Sequence, residues 1–171
     1  MSLIIRNSIQ ILLLNAENKL LLMCADDPKT TSIDGKYHGQ FWFTIGGKIE
    51  EGESMQKAAL REVYEETGIP KEKIELGSVV WFGEFDLVLA GTPTRIKQTF
   101  IVAKTTQNDV SLDHLTPEEK AVVKETAWFS LEEIKNCPDV IYPVLLPQYL
   151  PDILAENYPE KPLEIDLGKQ P

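Results

Sequence analysis

Short apolar runs separated by polar turns carry most of the pattern. Ser8 to Leu14 and Leu20 to Cys24 are apolar, with Asn15 to Lys19 between them, and predict a β-hairpin. Residues 25–40 turn polar and hold Pro28, Gly35 and Gly39, which predicts a long loop. Phe41 to Ile45 reads as a strand running into Gly46-Gly47. Ser54 fits an N-cap, Met55 to Thr67 a helix and Gly68 its C-terminal stop. Met55, Ala58, Ala59 and Val63 fall on one helical stripe, which predicts a core face and turns the acidic residues away from it.

The second half repeats the strand rhythm. Val79 to Ala90 and Ile96 to Ala103 flank a turn at residues 91–94 and predict a second hairpin. Alternation puts Trp81, Phe85, Leu87 and Leu89 on one face and Phe82, Glu84 and Asp86 on the other. Residues 105–120 read as a loop, residues 122–129 as a short strand, and Ser130 as the cap of a helix over 131–136. Pro147 and Pro151 confine the next helix to about 151–157. Strands and helices in this order predict an α/β (α+β) fold, with one domain over residues 1–158 and a loose tail over 159–171.

Composition narrows the function. At 171 residues, 43% hydrophobic and 26% charged, the chain suits a single globular core. Its net charge of −10 disfavours long nucleic acids and anionic membrane surfaces as partners. No apolar run approaches membrane-spanning length. Cys24 and Cys137 sit in no motif and read as buried small hydrophobes, in keeping with a cytoplasmic protein.

The chemistry concentrates between Gly46 and Ile69. Glu62, Glu65 and Glu66 stand three and four residues apart, so a helix gathers their carboxylates. Like charges repel, and a hard divalent cation such as Mg²⁺ or Mn²⁺ is the physical reason to gather them. Gly47, Glu53, Arg61-Glu62-Val63, Glu65-Glu66 and Gly68-Ile69 complete the pattern G-x(5)-E-x(7)-R-E-u-x-E-E-x-G-u, with u apolar. On these residues the chain resembles the Nudix hydrolases (MutT-like). The flanking strands extend the likeness loosely over residues 6–136.

That resemblance implies a Nudix fold, a mixed β-sheet sandwiched between helices. It implies a Mg²⁺-dependent pyrophosphohydrolase acting on a small nucleoside diphosphate-linked substrate, with nucleoside triphosphates favoured. The alternatives are an ADP-ribose or nucleotide-sugar pyrophosphatase, or a nucleotide-binding module without turnover. Metal ligands carried over are Glu62, Glu65, Glu66 and the carbonyl of Gly46. Glu53 and Arg61 are expected to support them. Glu65 or Glu125 is the expected base, with Glu118 and Glu119 behind Glu125. His38, Phe82 and Glu84 are the expected substrate contacts, and a monomer or homodimer is expected.

Overall fold

The computed structural model describes residues 3–26, 31–32, 40–169 and 171. Among them a nine-stranded mixed sheet carries helices on both faces. Its strands are β1 (Ile4–Leu14), β2 (Leu20–Asp26), β3 (Thr31–Ser32), β4 (Gln40–Lys48), β5 (Glu75–Leu89), β6 (Thr92–Lys104), β7 (Val123–Phe129), β8 (Val140–Tyr142) and β9 (Leu163–Glu164). The helices are α1 (Met55–Thr67), α2 (Pro117–Val122), α3 (Leu131–Lys135) and α4 (Leu146–Leu154).

β1 is the central strand, and its alternation supplies both cores. Ile9, Ile11 and Leu13 join Ile45, Ala58, Ala59 and Val63 under α1. Leu12 and Leu14 join Trp42, Trp81 and Phe100 with Ile134 of α3 and Leu146, Leu150 and Ile153 of α4 on the other face. The expected β1–β2 hairpin closes at Leu14–Leu20. Beyond that pair the two strands part, because β4 pairs with both of them. Its first half lies against β2 and its second half against β1, from Ser8–Lys48 to Ile11–Ile45. β1 also runs parallel to β6 along its whole length.

Helix α1 has its expected bounds. Ser54 caps it by accepting from the Lys57 N–H at 3.1 Å, and the Gly68 N–H donates to the Tyr64 carbonyl at 2.8 Å. Two expectations about its faces fail. Met55 is 40% exposed rather than core. Glu62 and Glu66 are buried beside the apolar stripe instead of pointing away from it.

Other expectations are corrected by local chemistry. Part of the expected 105–120 loop is α2, where Thr116 and Glu119 form a reciprocal capping box and a proline follows the cap. α4 begins at Leu146, not near Pro151. Pro147 sits in the first turn, where its missing N–H costs nothing, and the burial of Leu146, Leu150 and Ile153 offsets the bond lost at Pro151. The tail is not loose. β9 pairs in parallel with Trp81 and Phe82, and Ile165 and Leu167 are buried against the core of that face. Their apolar side chains alternate with acidic ones, which is a strand pattern. Among the described residues no helix is long and apolar enough to cross a membrane.

Candidate active site

Where the second half of β4 meets α1, two glycines bring strand and helix together. A Cβ on Gly47 would lie 2.5 Å from Glu62 Oε1, and a Cβ on Gly46 2.2 Å from the carbonyl oxygen of Ile9. Neither position has room for a side chain. The Gly46 N–H instead donates to Glu66 Oε1 at 2.8 Å.

Arg61 ties the acidic residues together. Its Nε and Nη2 donate to the two oxygens of Glu53 at 2.8 and 2.9 Å, a bidentate pair. Nη1 donates to Glu62 at 2.8 Å and reaches Glu65 at 3.2 Å, while Nη2 also donates to the Lys48 carbonyl at 2.9 Å. These bonds to Arg61, with a further one from the Glu50 N–H, hold the Glu53 carboxyl down at about 2. The same pairing raises Arg61 above its ordinary range.

Glu62 and Glu66 are 6% and 2% exposed. Burial raises both, and Glu66 is raised further by the neighbouring charge of Glu62, with which it shares a hydrogen bond. Three carboxylates thus bond one guanidinium, Glu66 adjoins them through Glu62, and Glu62 and Glu66 are withdrawn from water. Such a cluster suits a hard divalent cation, which would offset the carboxylates' mutual repulsion. Glu65 turns to Arg61, and among the described residues no three acidic, His or Cys side chains stand in a preformed metal arrangement.

The remaining expected residues separate. Glu125 pairs with Cys24, whose thiol it helps to raise after the larger effect of burial. Cys24 belongs to the core opposite α1, so Glu125 lies on the wrong face to reach Glu66. Glu119 acts on it instead: its charge adds to raising Glu66, behind burial and Glu62, while the Gly46 bond lowers it. The Thr-Pro-Glu-Glu sequence at 116–119 was the available signal, since it reads as a helix start that holds the acidic group in place. Phe82 is 41% exposed on the α1 side. The register Gly47–Ile9–Thr99–Phe82 puts it three strands, about 14 Å, from the glycines. Glu84 is two residues farther along β5. His38 lies outside the described residues.

A mixed sheet between helices thus carries a helical acidic cluster seated on a glycine pair. The chain belongs to the NUDIX family: the model of the NUDIX domain matches residues 5–146. It is 31% identical over 114 residues to Nudix hydrolase 19, chloroplastic, of Arabidopsis thaliana, covering 65% of this chain and 23% of that protein. The match thus spans under a quarter of the curated relative's length. Among solved structures, the Ap4A hydrolase of C. elegans in a binary complex has a TM-score of 0.59 at 21% identity, covering 88% of this chain and 98% of its own. The MutT protein of Methanosarcina mazei Go1 has a TM-score of 0.56 at 23% identity, covering 91% and 94%. At those identities the likeness is one of fold.

Proposed function

We propose that this chain hydrolyses the pyrophosphate bond of a small nucleoside diphosphate-linked substrate, nucleoside triphosphates first, in the cytoplasm. The observation that carries this is the buried pair Glu62 and Glu66 against Gly46 and Gly47. Two carboxylates withdrawn from water, with one N–H and one guanidinium between them, are costly unless a cation joins them. Glu62, Glu65, Glu66 and the Gly46 carbonyl would hold Mg²⁺, or Mn²⁺. Such a cation, when bound, neutralises diphosphate charge and acidifies a water.

The chain's own residues do the rest. Arg61 fixes Glu62 and Glu65 relative to each other, and Glu53 fixes Arg61. Glu65, at 35% side-chain exposure the most open of the helical carboxylates, takes the proton of the attacking water. Glu119, whose charge acts on Glu66, is a further carboxylate of the site, in place of Glu125. The glycines let the substrate's phosphates approach the backbone.

The test is a phosphate-release screen with Mg²⁺ over nucleoside triphosphates, ADP-ribose, nucleotide sugars and dinucleoside polyphosphates, with Glu65→Gln beside wild type. Turnover of one class, lost in the variant and on chelation, is expected. Tight Mg²⁺ binding with no turnover of any class would overturn the reading in favour of a nucleotide-binding module.

A further inference from the structure

The two faces of the sheet differ in chemistry at Gly46. The α1 face holds the carboxylates. On the opposite face β1 presents Ser8 and Gln10, two residues apart and therefore on one side of the strand. They lie on the side of Leu12 and Leu14, and are only 4% and 7% exposed. Register sets Gln10 between Gly46 of β4 and Phe100 of β6, and Ser8 between Lys48 and Gln98. Gln98 in turn faces Gly83 of β5.

Buried polar groups normally have partners, and most here do. Asn15 bonds Asn108, Thr67 bonds the Val63 carbonyl, Thr94 the Thr92 carbonyl, and Thr105 accepts from the Gln107 N–H. Gln10 Oε1 accepts from Thr44 Oγ1 at 2.6 Å, which fixes the amide. Among the described residues its Nε2 has no acceptor, and the Ser8 hydroxyl has no hydrogen bond at all. Gln10 Nε2 stands 2.7 Å from where a Cβ on Gly46 would be, so the amide abuts the missing side chain. Two buried polar groups left unpartnered beside the candidate active site point to a ligand that completes them.

The surroundings say which ligand. From Ile45 to Lys48, β4 has a strand partner only on its β1 side among the described residues. The open edge gives a substrate held at Glu66 a way round to the other face. There the groups are an amide, a hydroxyl and a second amide, with Lys48 exposed at the rim and Arg6 two residues before Ser8 on the same side of β1. Neutral donors and acceptors suit the edge of a heterocycle rather than a further phosphate. The C-terminal segment walls the row: a Cβ on Gly83 would meet the Ile165 carbonyl oxygen at 2.6 Å and Leu167 Cγ at 2.8 Å.

We propose that Ser8, Gln10 and Gln98 bind the nucleobase of the substrate on the sheet face opposite α1, and so set its base preference. The substrate class rests on the diphosphate-hydrolysis reading; the binding row itself does not. Two measurements test it. In ¹⁵N-labelled wild type without metal, AMP, GMP, CMP and UMP are titrated while the side-chain amide signals of Gln10 and Gln98 are followed, assigned through Gln10→Met and Gln98→Met. One base is expected to shift both amides saturably, and ribose 5-phosphate to leave them in place. In kinetics, Ser8→Ala and Gln10→Met are expected to raise KM about tenfold for the preferred nucleotide, as loss of a buried hydrogen bond does. Their kcat stays within twofold and the base preference flattens; the Tm of Ser8→Ala holds or rises, while that of Gln10→Met falls because the buried Thr44 hydroxyl loses its acceptor. Unmoved amides, equal shifts with ribose 5-phosphate, or an unchanged KM would overturn the assignment. Shifted amides in a protein that cleaves no diphosphate would sink the reaction and leave the base site standing; turnover indifferent to Ser8 and Gln10 would do the reverse.

Discussion

Gly47→Ala separates activity from stability in a way the geometry fixes. The added Cβ would lie 2.5 Å from Glu62 Oε1, 2.6 Å from Cδ and 2.8 Å from Oε2, where ordinary contact begins at 3.4 Å. Backbone strain plays no part, because Gly47 is not among the positive-φ residues. The Glu62 carboxylate must therefore retreat by about 0.9 Å. It is the end of a flexible side chain, so the fold absorbs the shift at the low end of overpacking costs, about 1 kcal/mol. For a chain of this length that is a Tm loss of about 2–4 °C. The carboxylate cannot move freely, however, since Arg61 holds it at 2.8 Å and Glu66 shares a hydrogen bond with it. A displacement near 1 Å in a catalytic array costs about 100-fold in rate. Gly46→Ala is the contrast: its Cβ meets the backbone oxygen of Ile9 at 2.2 Å, and β1 and β4 must part. It is expected to lose much more Tm than Gly47→Ala. Thermal unfolding and Mg²⁺-dependent phosphate release, run on both variants, check this. Gly47→Ala with turnover within threefold of wild type would refute the claim that the carboxylate's position is set by the glycine.

Three other outcomes are expected. Glu119→Gln lowers kcat at least about tenfold while Glu125→Gln stays within threefold, by the same phosphate-release assay; the reverse order would return the role to Glu125. Glu53 sits at about 2 against an ordinary 4.5, so its pairing with Arg61 contributes its full stability above pH 4.5 and loses it as pH falls towards 2. The Tm gap between wild type and Glu53→Gln should therefore be constant from pH 7 to 5 and close between pH 4.5 and 2. Leu167→Ala opens the contact over Gly83 and should cost about 2–4 kcal/mol in denaturant unfolding, whereas a loose tail would cost nothing.

The acidic cluster was legible in the sequence because its spacing is local. Glu62, Glu65 and Glu66 need only α1 to meet, and Ser54 and Gly68 mark that helix. Burial was not legible. A helical wheel puts Glu62 and Glu66 off the apolar stripe, and only the approach of β4, through two residues without side chains, closes over them. Glu125 failed for a related reason. Its distance from the acidic motif along the chain says nothing of which face of β7 it takes, and the pairing with Cys24 decides that. The C-terminal strand is two residues long and depends wholly on β5 for partners. Ser8 and Gln10 sat in plain view inside an apolar run. They drew no notice because a polar residue in a strand is ordinary until its neighbours prove to be buried.

Those observations meet at one position. Gly46 gives its N–H to Glu66, lies against the Gln10 amide and stands where, among the described residues, β4 has a strand on one side alone. A side chain there would close both faces at once, through the Ile9 carbonyl on the backbone and through Gln10 on the far side. The carboxylates bring net negative charge and an unsatisfied demand for a cation; the β1 row brings neutral groups and an unsatisfied demand for hydrogen bonds. A nucleoside diphosphate with its cation meets both demands in one molecule, and neither a free phosphate nor a free base does. The acidic half alone would leave substrate choice to the loops. With the β1 row beside it, choice of base falls to strand residues held within the sheet.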